Sequence, residues 1–231
     1  MKKQTTCRLV TAFSLLIAAG SSAYAACKDE VATALERQRH TSGFRMTTKM
    51  LSEQGIVNMT VDYVLPNRMR QVITSTTEPK PVETVVIGRD GWSRLEGEQW
   101  RPLHPQVADA LAAQMQETLG ENQEGTLGEF ECLGKQAVSE QQYLAYLGEN
   151  PEPEGPKDLS AKDKPKLPDR GVRVIYVDPT TGLPMRSIYA RANKLDKPIF
   201  EATYSYPADI KIDAPQFPGA PTDAAKPEAN K

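Results

Sequence analysis

Polar and apolar residues alternate in two neighbouring segments of this chain, at residues 44–50 and 57–63. The apolar positions recur at every second residue, which is the spacing of a β-strand with one buried face. Gly55 supplies a turn between the two segments, and Pro66 ends the second because proline has no N–H to donate to a sheet. The pattern therefore predicts two antiparallel strands that share one apolar face.

Further β-type segments follow along the chain, separated by turns rich in glycine, proline and aspartate. They are residues 68–76, 82–88, 92–95, 99–103, 130–138, 142–148, 172–177, 185–192 and 199–206. With the first two segments they predict about eleven strands in an antiparallel sheet. A sheet of that size curls because its strands twist, so we expect it to have a concave face.

Two segments have helical periodicity instead. Residues 28–39 place Val31, Ala34 and Leu35 on one face, and Pro105–Leu119 starts with a proline and repeats apolar residues every four positions. The predicted fold class is therefore α+β. It comprises an N-terminal helix, a curled antiparallel sheet of about eleven strands, and an inserted helix that would act as a lid over the concave face.

Residues 1–25 have the three parts of a secretory signal peptide. Basic residues precede an apolar stretch at 9–19, and the A-x-A sequence at 23–25 is typical of a cleavage site. The apolar stretch is too short to remain as a membrane anchor, and no second stretch approaches the required length. We therefore expect cleavage after Ala25, export to the periplasm and no transmembrane segment in the mature chain.

The rest of the chain has the length of one domain. We predict a folded domain at 26–213, a long proline-rich loop within it at 149–171, and a disordered tail at 214–231. The sequence has 28 basic and 30 acidic side chains, a formal charge of −2, and loss of the basic signal peptide makes it more acidic. That balance argues against nucleic acid as a partner.

Cys27 and Cys132 are the two cysteines that remain once the signal peptide is removed. An exported chain with an even number of cysteines favours a disulfide, which would tie the first helix to the middle of the sheet. Two alternatives stay open. The two residues are unrelated buried thiols, or Cys27, which lies just past the cleavage site, is acylated as in a lipoprotein.

The sequence lacks the residue sets of the common enzyme classes. Its two histidines, His40 and His104, lie in different segments without acidic partners at a ligand spacing, so no metal site is predicted. No nucleophile elbow, phosphate loop or dinucleotide fingerprint is present. We therefore expect a non-enzymatic protein that needs no cofactor.

Several segments, taken in order, resemble the LolA-like superfamily of exported lipid and lipoprotein carriers. They are YVLPNRMR at 63–70, ETVVIG at 83–88 followed by Gly91-Trp92, Gln99-Trp100, VDPTTGLP at 177–184 and ATYSY at 202–206. The resemblance covers most of residues 28–213. It implies an unclosed antiparallel β-barrel with helices plugging its mouth around an apolar cavity. The superfamily also includes a domain that senses envelope stress, so the fold alone does not decide the function.

The resemblance implies a periplasmic carrier that binds an amphiphile, such as the acyl chain of a lipid or lipoprotein, in its apolar cavity. The alternative is an envelope sensor or protein-interaction module with the same fold, which would contact an envelope protein through the loop at 149–171. The candidate cavity residues are Phe44, Met46, Met50, Val57, Met59, Val61, Tyr63, Trp92, Leu111 and Met115. A second interpretation of the same side chains is that they form an ordinary packed core.

Overall fold

The computed structural model describes residues 22–52, 55–119, 127–149 and 171–216. The predicted signal peptide, the loop at 149–171 and the C-terminal tail lie wholly or mostly outside these ranges and stay predictions. The described elements, in chain order, are α1 (Ser22–Arg39), β1 (Gly43–Ser52), β2 (Gly55–Val64), β3 (Arg68–Ser75), β4 (Val82–Ile87), β5 (Asp90–Leu95), β6 (Arg101–Pro102), α2 (Pro105–Leu119), β7 (Phe130–Val138), β8 (Gln141–Glu149), β9 (Gly171–Val177), β10 (Pro184–Arg191) and β11 (Phe200–Ser205).

The eleven strands form one antiparallel sheet in the order β6-β5-β4-β3-β2-β1-β11-β10-β9-β8-β7. Strands β1 to β6 make one meander and β7 to β11 another, and the pairing of β1 with β11 joins the two. The edges are β6 and β7, so the sheet is not closed into a barrel. The predicted α+β class, the number of strands and the unclosed sheet are confirmed.

The strand boundaries lie within two residues of the prediction, and two differences bear on the architecture. Helix α1 begins at Ser22 instead of residue 28, so the A-x-A sequence at 23–25 lies in its first turn. Strand β6 has two residues instead of the five predicted at 99–103. Pro102 has no N–H with which to extend the ladder, and the chain then turns into α2, where the amide of Leu103 donates to the carbonyl of Gly91 at 2.8 Å.

Both helices lie on the same face of the sheet, which we call the inner face. Val31 of α1 and Tyr146 of β8 belong to one buried apolar cluster, and Met115 of α2 and Phe44 of β1 belong to another. The strand register between β1 and β8 places Phe44 and Tyr146 on one side of the sheet. Because neighbouring residues of a strand point to opposite sides, every second residue of each strand faces the helices.

Polar contacts hold the middle and the end of α1 on the inner face. Midway along the helix, the carboxylate of Glu30 accepts a hydrogen bond from the hydroxyl of Tyr146 at 2.6 Å. Near the end, the buried Gln38 amide donates to the hydroxyl of Tyr206 at 3.0 Å, and that hydroxyl donates to the carbonyl of Pro184 at 2.6 Å. These contacts satisfy the buried polar groups of Tyr146 and Gln38, and α1 lies across the sheet from β7 towards β11.

The opposite side of β1 to β5, the outer face, is polar. Arg45 donates two hydrogen bonds to Asp62 at 2.6 and 3.0 Å. Glu83 accepts from Arg70 at 3.2 Å and from Arg94 at 2.8 Å. Partly exposed pairs of this kind contribute about 1 kcal/mol or less each. Their effect is to make this face compatible with water, while most of the large apolar residues of the same strands lie on the inner face.

A disulfide joins the start of α1 to β7. Cys27 is a buried residue of α1, and its sulfur is bonded to that of Cys132, 105 residues further along the chain. The predicted disulfide is confirmed, and neither cysteine is a free thiol in this structure. Helix α1 leads directly into the first meander, and Cys132 lies in the second. The disulfide therefore links the two meanders in addition to the pairing of β1 with β11.

Replacing both cysteines by serine should lower the free energy of unfolding by about 2–4 kcal/mol, because the unfolded chain regains the freedom that a long covalent loop removes. Urea unfolding followed by tryptophan fluorescence measures this difference. Reductant should lower the midpoint of the wild-type protein and leave that of the double variant unchanged. A wild-type midpoint that reductant does not move would contradict the prediction.

Candidate functional site

Helix α2 covers one end of the inner face. Cross-strand pairing aligns Phe44, Tyr63, Met69, Val86 and Gly91 in a row from β1 to β5. The first four side chains are buried and form a packed cluster with Ala112 and Met115 of the helix. A fully buried side chain of this size stabilises the fold by roughly 1.5–3 kcal/mol, so this end of the face is structural core.

Gly91 allows α2 to approach β5 closely. A Cβ atom at this position would lie 2.9 Å from Leu103 Cδ1 and 3.1 Å from Ala108 Cβ, which is too close for a side chain without movement of the helix. At the other end of α2, Met115 and Leu119 belong to the same apolar cluster as Tyr63 of β2. The helix therefore crosses the inner face from β5 to β2.

The apolar character of the inner face continues beyond α2. The register places Met50, Val57, Ile73, Val82, Leu95 and Phe200 on this face, at the end of the strands away from the buried row. We call these six residues the open patch. Met50 is 42% exposed and Val82 37% exposed, and the other four are partly exposed. None of the six belongs to the packed clusters of the described residues.

A more polar row separates the open patch from the core under α2. It includes Gln71, Thr84 and Ser93 on neighbouring strands. The amide nitrogen of Gln71 lies 3.0 Å from the sulfur of Met59, whose side chain borders the patch. The inner face thus has a covered core at one end and a partly exposed apolar surface at the other.

Nine of the ten candidate cavity residues lie on the inner face in two groups, and the tenth, Trp92, lies apart from them. Seven belong to the cluster packed with α2, some fully buried and some partly. Met50 and Val57 lie in the open patch. The packed-core interpretation describes the surroundings of the seven clustered residues, whereas the side chains of Met50 and Val57 are partly exposed to solvent. The seven clustered residues are Phe44, Met46, Met59, Val61, Tyr63, Leu111 and Met115.

Trp92 lies on the outer face, apart from the other nine candidates. Its cross-strand neighbours are Val85 and Pro102, and Val85 is in turn opposite Arg70 of the polar outer face. Gly91 occupies the inner position in β5, so the next residue points outward. We therefore leave Trp92 out of the candidate site.

Four residues of the open patch were not among the candidates from the sequence: Ile73, Val82, Leu95 and Phe200. Each lies in a segment that was predicted as a strand or next to its boundary. Their grouping depends on the register among six strands, which a period-two pattern within a single strand does not determine.

A small cavity near the disulfide does not have the size of a lipid site. It has a volume of about 70 Å³ and is lined by Glu30, Cys132, Gly134, Leu144, Ala145 and Tyr146. Pockets for small organic ligands usually have volumes of about 300–1,000 Å³. The open patch is therefore the better candidate in the part of the chain that the structure describes.

Burial shifts the titration of the inner-face tyrosines. It raises the pKa of Tyr63 to about 12, and the nearby Tyr204 adds to the effect while the hydrogen bond with Thr118 opposes it. Burial likewise raises the pKa values of Tyr204 and Tyr206. These hydroxyls stay neutral across the physiological range, so this end of the face carries no tyrosinate charge.

Neither a metal centre nor a membrane-spanning helix is found among the described residues. No three histidine, cysteine, aspartate or glutamate side chains there are grouped so that they could hold a metal ion. Neither α1 nor α2 has the length and apolar character needed to cross a bilayer.

Comparison with known proteins supports the fold and does not extend beyond it. No protein-family model matches the chain, and no curated protein matches it. Among solved structures it is similar to the lipoprotein LppX of Mycobacterium tuberculosis, with 14% identity and a TM-score of 0.53 over 82% of this chain and 99% of that one. It is also similar to LprF of Mycobacterium bovis, with 12% identity and a TM-score of 0.50 over 84% and 99% of the two chains. The predicted LolA-like fold is confirmed.

The buried Tyr63 hydroxyl should make the protein sensitive to alkaline pH. Its pKa is about 12 in the folded protein and about 10 in an unfolded chain, so its contribution is fully present below pH 10 and is lost as the pH rises towards 12. The expected loss is about 2 kcal/mol, measured as the free energy of unfolding in urea between pH 9 and 12.

Tyr63→Phe should make this alkaline decline shallower than that of the wild-type protein. Equal declines in the two proteins would show that Tyr63 is not responsible.

Proposed function

We propose that this protein is an exported, non-enzymatic carrier that binds the acyl part of an amphiphile on the open patch. The observation that carries the proposal is the exposure of Met50 and Val82 on the face whose other end is buried by α2. A contiguous apolar surface beside a packed core is a common property of binding sites for apolar ligands.

The physical basis is burial of hydrocarbon. Each methylene group removed from water contributes roughly 0.8 kcal/mol, so an acyl chain laid across several strands would bind without any chemical step. Methionine suits such a surface because its flexible, polarizable side chain adapts to ligands of different shape. Met50 lies within the patch, and Met59 lies at its border.

Helix α2 would set the limit of the site and act as its lid. The helix is held by apolar contacts of Ala108, Ala112 and Met115 and by an exposed ion pair, in which Arg89 donates to Asp109 at 2.8 Å. Water screens an exposed pair of this kind, so packing accounts for most of the attachment. A ligand that extends under α2 would have to displace that packing.

Export to the periplasm is part of the proposal. It rests on the predicted signal peptide, whose first 21 residues lie outside the described ranges, and on the disulfide, which forms and persists in oxidising compartments. The alternative of a sensor or interaction module rests on the loop at 149–171, which lies almost entirely outside the described residues. It stays a prediction from the sequence.

Ligand binding can be tested with a matched pair of substitutions in β1. Met50 and Leu51 are adjacent, 42% and 65% exposed, and their side chains lie on the inner and the outer face respectively. Met50→Asp should weaken binding of the uncharged fluorescent probe N-phenyl-1-naphthylamine at least tenfold, because it places a charge in the apolar site. Leu51→Asp adds the same charge on the outer face and should change the affinity less than twofold.

Urea unfolding of both variants separates loss of the site from loss of the fold. Native mass spectrometry of the purified wild-type protein should also detect a bound lipid. Failure of the wild-type protein to bind the probe, together with an empty mass spectrum, would overturn the proposal.

A further inference from the structure

Arg173 is a partly buried cation on the inner face. The register pairs it with Tyr189 of β10 on one side and Gly148 of β8 on the other. The same row continues through Tyr189 to Phe200, and from Phe200 to Met50. Arg173 therefore lies in the same cross-strand row as part of the open patch. Its Cα atom is three strand spacings, or about 14 Å, from that of Met50.

The described surroundings do not neutralise this guanidinium. Arg173 donates one hydrogen bond to the carbonyl of Leu127 at 3.3 Å, and its guanidinium carbon lies 5.3 Å from the centre of the Phe130 ring. No carboxylate of the described residues forms an ion pair with it. Burial lowers its pKa, because removal from water disfavours the charged form.

Two arginines of the outer face, unlike Arg173, are paired with carboxylates. Arg45 is paired with Asp62, and Arg186 donates to Glu201 at 2.7 Å. A guanidinium has five N–H donors, and a partly buried one that is left with few partners costs free energy. An uncharged side chain could donate the same hydrogen bond to the carbonyl of Leu127. That hydrogen bond therefore does not explain why a charged arginine occupies this position.

We propose that Arg173 binds the anionic head group of the amphiphile, a carboxylate or a phosphate, while the acyl chain lies over the open patch. This inference rests on the proposed function and specifies the class of ligand. Guanidinium groups suit both anions because two parallel N–H donors match two oxygens of either group. Tyr189 lies between Arg173 and Phe200, so its ring would be in contact with the first part of the chain.

The structure also provides a matched control. Arg68 lies on the outer face, is partly buried, and donates to the carbonyl of Ile212 at 2.7 Å. Arg68→Gln and Arg173→Gln therefore remove the same charge and the same kind of hydrogen bond, one on each face. Arg173→Lys retains the charge without the two-pronged donor.

The experiment is displacement of N-phenyl-1-naphthylamine by three competitors that share an oleoyl or oleyl chain: oleate, oleyl alcohol and oleoyl lysophosphatidic acid, each below its critical micelle concentration. For the wild-type protein, at least one of the two anions should compete about tenfold better than the alcohol, since hydrogen bonds to charged groups are worth more than neutral ones. The anion that gains most identifies the head group as carboxylate or phosphate.

Arg173→Gln should abolish the preference for the anion and leave the affinity for the uncharged probe and the alcohol within twofold. Arg173→Lys should retain part of the preference, and Arg68→Gln all of it.

The outcomes separate this inference from the proposed function. A wild-type protein that does not bind the uncharged probe contradicts the proposed function, and this inference with it. Probe binding without a preference for either anion overturns this inference alone. An equal loss of all ligands in Arg173→Gln also overturns it, because that result would indicate a structural role of the arginine.

Discussion

The pairing of β1 with β11 is the interaction on which the inner face depends. Six cross-strand pairs, from Arg45 with Ser205 to Met50 with Phe200, connect parts of the chain that are at least 150 residues apart. The two meanders are otherwise local structures in which each strand follows its neighbour. Without this one non-local pairing, α1 and α2 would each cover a separate small sheet, and Arg173 would not share a row with the open patch.

The sequence was most informative about which residues of a single strand face the helices, because that follows from the alternation within the strand. The alternation in β1 and β2 predicted their inner residues correctly, because a strand with one polar face shows period two whatever its partners are. It was less informative about relations between strands. Trp92 was included among the candidate cavity residues, but its direction follows from the position of Gly91 beneath α2.

Arg173 illustrates a second limit of sequence analysis. It lies in β9, where apolar residues occupy both faces, with Val172, Val174 and Tyr176 on one and Ile175 and Val177 on the other. A strand buried on both sides has no alternation from which the direction of a charged residue can be read. Only the pairing with β8 and β10 assigns the arginine to the inner face.

An unclosed sheet leaves two edges on which another copy of the chain could add a strand, and both edges are poor templates for such growth. Strand β6 is two residues long and ends in Pro102, so it offers little backbone to a neighbour. Strand β7 has an irregular register between Cys132 and Gly134, and Gly134 has a φ of 71°. Both features interrupt a continuous ladder. The sheet can thus remain open along one side without becoming a seed for fibres, which matters for a protein that keeps an apolar surface exposed to water.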